Sequence, residues 1–193
     1  MLPHLSRHWV VFSALAILAG LQVSAAPRAQ SALPERFIGI AVGLSRPTGG
    51  AETVEILVER WSTDAERDRL VSLIRGGRQD KVVDALVDMK RVGMLRTPES
   101  LGYPLQFARR RVMPDKTEQI TLLSDRPISI WGPSNLDYPF TLVELRIGPD
   151  GKGEGRLSLA AKITADEKTG MIVLENYPAL PVHLTGVRRE RGR

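Results

Sequence analysis

Hydrophobic and polar residues alternate along most of the chain, with one interruption. In residues 53–61, Val54, Ile56 and Val58 fall on one side and Thr53, Glu55, Leu57 and Glu59 on the other. Period-two alternation of β-branched residues predicts a half-buried strand. A similar run at 36–44 precedes it, and Arg46-Pro47-Thr48-Gly49-Gly50 between them reads as a turn, so the pair predicts a hairpin. The period then becomes helical. Thr63-Asp64-Ala65-Glu66 matches a capping box, Leu70, Leu73 and Ile74 follow at helical spacing, and Gly76-Gly77 supplies a left-handed stop. A second helix is expected from about residue 79 to 90, with Val82, Val83, Leu86, Val87 and Met89 on its apolar face. The helical hairpin thus spans 63–91.

From residue 94 the chain returns to strands. The expected runs are 94–97, 105–113, 118–123, 128–131, 140–147, 156–164, 171–177 and 182–187. Turns at Pro149-Asp150-Gly151-Lys152-Gly153 and at Asp166-Glu167-Lys168-Thr169-Gly170 predict hairpins, and the last four strands are expected to form a meander. The fold class that follows is α+β. A mostly antiparallel β-sheet or partly closed β-barrel carries the inserted helical hairpin over one face or open end.

The N-terminus follows neither period. Arg7 precedes an apolar stretch from Trp9 to Ala19, and Val23-Ser24-Ala25 closes it with small residues. A basic start, a short apolar centre and a small-residue exit form a signal-peptide pattern, with cleavage expected after Ala25. The apolar run is shorter than the about 20 residues needed to span a bilayer. Residues 26–35 then read as a flexible leader, 36–187 as a single β-rich domain, and 188–193 as a basic tail. Export to a periplasm or exterior is the expected localisation, with no transmembrane span after cleavage.

Composition narrows the chemistry. The 193 residues contain no cysteine, which excludes a disulfide framework, thiolate metal sites and cysteine nucleophiles. The net charge is +5, and loss of residues 1–25 removes only Arg7. His4 and His8 leave with that segment, so His183 is the single histidine of the expected mature chain. Neither a histidine-rich metal site nor any other cofactor is expected.

Each motif with catalytic associations loses a required part. The glycine cluster at 148–155 has Gly153 where a phosphate loop needs Ser or Thr after the lysine, and a strand follows it. Lys168-Thr169-Gly170 matches one element of penicillin-recognising serine enzymes, but S-x-x-K is absent and Ser124-Asp125-Arg126 completes only two-thirds of the third element. His183 lies opposite Val182 and Leu184 in strand alternation; it reads as a general base or as a solvent-side strand residue, and no partner motif favours the first.

The remaining catalytic candidates are carboxylates: Asp125, Asp137, Glu144, Glu154 and Glu175. Glu144 shares a strand face with Phe140 and Leu142, and an acid on an apolar face gains a raised pKa. The alternative is structural pairing with Arg126, Arg146 or Arg156. Basic groups cluster at Arg109-Arg110-Arg111 and in the tail, but the aromatic residues form no stacking platform, so nucleic acid is not an expected partner.

The strings Leu174-Glu175-Asn176-Tyr177-Pro178, Pro181-Val182-His183-Leu184-Thr185 and Asp137-Tyr138-Pro139-Phe140-Thr141 resemble exported bacterial proteins of unknown function. That resemblance implies a bacterial, exported origin and transfers no activity. Two functional classes follow: a non-catalytic exported module binding a small apolar ligand or an envelope partner, and a carboxylate-dependent hydrolase using Asp125, Glu144 and Glu175. A structural envelope protein is a third.

Overall fold

The structure is a computed structural model, and it describes residues 34–43, 50–128, 130, 139–160, 163–168, 170–174 and 181–190. The expected signal segment, most of the leader, the first hairpin turn, Asp137, Glu175 and the last three residues lie outside this set.

Among the described residues, eleven strands and two helices follow in the order β1 (Glu35–Gly43), β2 (Gly50–Val58), α1 (Asp64–Arg75), α2 (Asp80–Val87), β3 (Gly93–Arg96), β4 (Tyr103–Leu105), β5 (Phe107–Val112), β6 (Glu118–Ser124), β7 (Phe140–Ile147), β8 (Lys152–Ala160), β9 (Ile163–Ala165), β10 (Ile172–Leu174) and β11 (Val182–Glu190). Nine of the strands make one antiparallel sheet in the order β4-β3-β2-β1-β11-β8-β7-β6-β5. Its two ends meet, because β4 and β5 are halves of one run interrupted at Gln106. Leu105 accepts from Val92 N–H at 2.7 Å on one side, and Gln106 N–H donates to Leu123 at 2.9 Å on the other. Ser62 joins the same seam: its N–H donates to Ala108 O at 2.8 Å and its Oγ accepts from Ala108 N–H at 3.0 Å. The result is a nearly closed barrel, as the α+β reading expects.

Inward positions are filled by apolar side chains, among them Phe37, Ile56, Leu122, Val143, Leu157 and Leu184, each almost fully buried. A ring of this size has an interior just wide enough for its side chains. A second apolar cluster lies outside the wall. There Leu70, Ile74, Val82 and Leu86 of the helices meet Phe107, Leu123 and Leu142 of the barrel, together with Ile163 and Ile172 of the β9–β10 hairpin. The helical hairpin therefore covers one outer face.

The sequence reading needs correction at several points. No four-strand meander forms: β8 pairs with β11, while β9 and β10 leave the wall as a separate two-stranded hairpin. Ile128 and Ile130 lie in no strand; Ile128 N–H instead donates to Thr141 Oγ1 at 2.7 Å. Val87 is 61% exposed, because the face that α2 buries runs through Val82, Ala85 and Leu86. Glu35 begins β1 with 3% exposure, and β11 runs on to Glu190, so neither the leader nor the tail has the expected boundary.

The last correction has a backbone cause. β11 carries an extra residue between Leu184 and Val187 relative to β8 and β1, and Gly186 takes φ +58° there. This is a bulge of the kind that places glycine in the left-handed region. It shifts the alternation by one, so Leu184, Val187 and Arg189 all face inward.

The predicted capping box is present. Glu66 N–H donates to Thr63 Oγ1 at 3.2 Å, and the Glu66 carboxylate accepts from Thr63 N–H at 2.8 Å. Arg60 grips the same carboxylate through two bonds of 2.9 and 3.0 Å. Those arginine bonds are the main cause holding Glu66 down at about 2, with the Thr63 N–H bond adding to them. A lowered carboxyl stabilises the fold above its unfolded value near 4.5 and loses that contribution as pH falls toward 2. Glu66→Gln is therefore expected to cost about 1–2 kcal/mol at neutral pH. In urea titrations the gap from the wild type should close as the pH falls through that window; a gap independent of pH would contradict it.

Candidate functional site

The outer wall of the barrel divides into two halves. Toward the helices its rows are apolar, with Phe107 opposite Leu123 and Leu123 opposite Leu142. Two residues along each strand the chemistry changes, because outward positions keep the same face at every second residue. One row runs Arg109, Thr121, Glu144, Arg156, His183 across β5, β6, β7, β8 and β11, each directly opposite the next. The adjacent row runs Arg111, Gln119, Arg146, Glu154.

These rows floor a groove. A cavity of about 420 Å³ lies over Glu144, Arg146, Glu154, Arg156 and His183, with Met171 and Val173 of the β9–β10 hairpin as its apolar wall. An adjoining cavity of about 220 Å³ shares Thr121 and Met171 and continues to Arg67, Arg109 and Arg111. Arginine thus outnumbers glutamate along the groove. Arg109 is tied to Asp64 at 2.9 Å and to Ser62 O, and Arg67 to Asp68 at 2.7 Å. Arg111 and Arg146 lie within ion-pair distance of no carboxylate among the described residues, although Glu154 faces Arg146 across the ladder and the Asp115 carboxyl, held down mainly by the Thr117 N–H, also feels Arg146.

Glu144 and His183, two of the sequence candidates, come together here, joined by Arg156 between them. Burial pushes the Glu144 carboxyl above its usual value, and Arg156 at 3.8 Å opposes that shift in part. His183 stands exposed on the groove floor, on the face opposite the buried Leu184. Asp125 is elsewhere. It sits just beyond the end of β6, four residues along from Thr121, with its carboxylate held by Arg126 at 2.7 and 3.0 Å. Glu175 and Asp137 lie outside the described residues.

A second charged constellation escaped the sequence reading. At one end of the barrel interior, Glu35, Glu118, Arg110 and Arg189 form a quartet in which Glu35 is buried and the other three are partly buried. Glu35 takes Arg110 at 3.0 Å and Arg189 at 3.2 Å; Glu118 takes Arg189 and, at 3.6 Å, Arg110. Arg110 stacks 4.8 Å over the Trp61 ring and Arg189 lies 5.3 Å over Phe37. Burial raises Glu35 despite both arginines. One signal did point there. Three consecutive arginines in a strand must turn at least one inward, and Arg110 is that residue. Nothing in the local pattern announces the phase shift that brings Arg189 to meet it.

Compared with family models, curated proteins and solved structures, the chain matches none. Among the described residues no helix is long and apolar enough to cross a membrane.

Proposed function

We propose that the protein is a non-catalytic binding module of a bacterial envelope, exported after loss of residues 1–25, and that its ligand is an anion held in the outer-wall groove. The observation that carries this is the excess of arginine over glutamate along a recess already walled by Met171 and Val173, with Arg111 and Arg146 within ion-pair distance of no carboxylate among the described residues. Guanidinium groups in a recess favour carboxylate or phosphate, through charge-assisted bonds that are stronger than neutral ones. A small apolar ligand enclosed by the barrel is less well supported, because side chains fill the interior; the apolar wall of the groove leaves room for a ligand with an apolar part.

Citrate is a suitable first probe. Calorimetry at low salt is expected to show binding that Arg146→Gln weakens on the order of tenfold, the loss of one charge-assisted bond. Indifference to that variant and to added salt would overturn the reading. Export has its own test. Intact mass of protein recovered from the envelope should correspond to a chain beginning at Ala26, and a full-length cytoplasmic product would refute it.

One observation favours the hydrolase alternative. Glu144 and Glu154 occupy diagonal places on neighbouring strands. Strand positions so placed are about 7–8 Å apart, close enough for their carboxyls to span the separation of paired acids that invert a glycosidic centre. Asp125 has no part in that arrangement. Each glutamate also faces an arginine across the ladder, which favours binding over proton transfer.

A further inference from the structure

Glu144, on the groove floor, is held less closely than other carboxylates of the fold. Asp64, Glu66, Asp88 and Asp125 each take an arginine at 2.7–2.9 Å, which is hydrogen-bond distance. Arg156 stands 3.8 Å from Glu144, and the Glu144 carboxylate accepts no hydrogen bond among the described residues. Yet Glu144 is the more enclosed of the two, its side chain 25% exposed against 48% for Arg156. Burial lifts its carboxyl more than Arg156 lowers it, so a donor cation placed beside it is favourable.

The charges around Glu144 form a checkerboard. Glu144 faces Arg156 and Arg146 faces Glu154 across the same two strands, so acid and base alternate in both directions. Over the larger cavity these four cancel. The adjoining cavity tips the balance: Arg67, Arg109 and Arg111 line it, and no carboxylate does among the described residues. Arg67 and Arg109 already hold Asp68 and Asp64, so Arg111 carries the surplus. Arg111 lies two strands from Arg146 in the same row. Two strand spacings are about 10 Å, a gap that two guanidinium arms shorten to the length of a small dicarboxylate. Met171 borders both cavities and gives the path between them an apolar side.

We propose that the groove binds an acidic α-amino acid, with its ammonium group on Glu144, its α-carboxylate on the neighbouring Arg146 and Arg156, and its second carboxylate toward Arg111. The inference rests on the anion-binding reading above and names the anion. The ammonium supplies the hydrogen-bond donors that Glu144 lacks, and each carboxylate gains charge-assisted bonds from guanidinium. The methylenes between them lie along Met171. At about 420 Å³, the larger cavity is of the size that small-molecule sites occupy.

The test compares L-glutamate, glutarate and L-glutamine by calorimetry at neutral pH and low salt, beside citrate. Glutarate is glutamate without the ammonium group, and glutamine replaces the second carboxylate by an amide. Glutamate is expected to bind about tenfold more tightly than either, even though glutarate carries more negative charge. Glu144→Gln should erase the preference for glutamate over glutarate and leave glutarate binding unchanged or stronger. The wild-type comparison stands whether or not that variant folds. Glutarate binding as tightly as glutamate, or a preference for glutamate that survives Glu144→Gln, would overturn ammonium recognition at Glu144 and leave anion binding standing. Citrate binding without glutamate binding would do the same. Equal binding of glutamine would overturn the acidic class. If none of the four binds, the groove reading itself fails.

Discussion

Arg110→Met is expected to destabilise the protein by about 3–5 kcal/mol at neutral pH, the range for breaking a buried ion pair from one side. The variant leaves Glu35, at 3% exposure, and Glu118 sharing one arginine instead of two. The pH dependence gives the prediction its signature. A carboxyl whose value is raised in the fold binds its proton more tightly there than in the unfolded chain. Glu35 thus favours the fold on the acid side, and its contribution declines as pH climbs from 4.5 toward the raised value. Loss of Arg110 removes a cation that opposes the rise, so the decline extends to higher pH. Urea denaturation should therefore find the variant closest to the wild type in mild acid and furthest from it above neutrality. Adding Glu35→Gln should recover much of the loss, because the remaining pair is again neutral. Wild-type stability for Arg110→Met at all pH values would show that the quartet contributes nothing net.

The quartet also marks where sequence reasoning stops. Period and punctuation were sufficient for much of the wall, since Val54, Ile56 and Val58 hold one face of β2 and Val143, Leu145 and Ile147 one face of β7, with β1 and β8 as the expected hairpin neighbours. The same rule put Glu144 on the face of Phe140 and Leu142, and His183 on the face opposite Leu184. It failed where the phase changed inside a strand. From Leu184, unbroken alternation turns Arg188 inward and Arg189 outward; the bulge at Gly186 reverses this, and a glycine in a strand does not say which residue is the extra one. Pairing was the second limit. Ile163–Ala165 and Ile172–Leu174 look like wall strands by composition, and short turns favour neighbours. Only the return of β11 to the slot between β1 and β8 excludes them from the wall. That slot is set by residues far away in the chain. The groove was illegible for the same reason, because Arg111, Gln119, Arg146 and Glu154 become one row only when the register of four strands is known.

Leu86→Ala is expected to cost about 2–5 kcal/mol, the range for emptying a buried leucine site. Leu86 and Leu70 are fully buried, in a cluster that includes Phe107 and Phe140 of the wall and Ile163, Ala165 and Ile172 of the projecting hairpin. Val87, one position away, is 61% exposed, and Val87→Ala should stay within about 0.5 kcal/mol of the wild type. The contrast separates helices that complete a core from helices that form a lid over ligand, since a lid leucine would cost little in the empty protein. A further consequence follows from the location of the cluster. The helical hairpin is packed between the wall and β9–β10, so it holds the strand that borders the groove. Loosening Leu70 or Leu86 should lower the free energy of local opening at β10 more than at β2 or β7. Exchange of the Val173 amide, bonded across to β9, should then accelerate in Leu86→Ala ahead of amides in the barrel wall. Uniform acceleration across the chain would mean that the hairpin opens only with the whole fold.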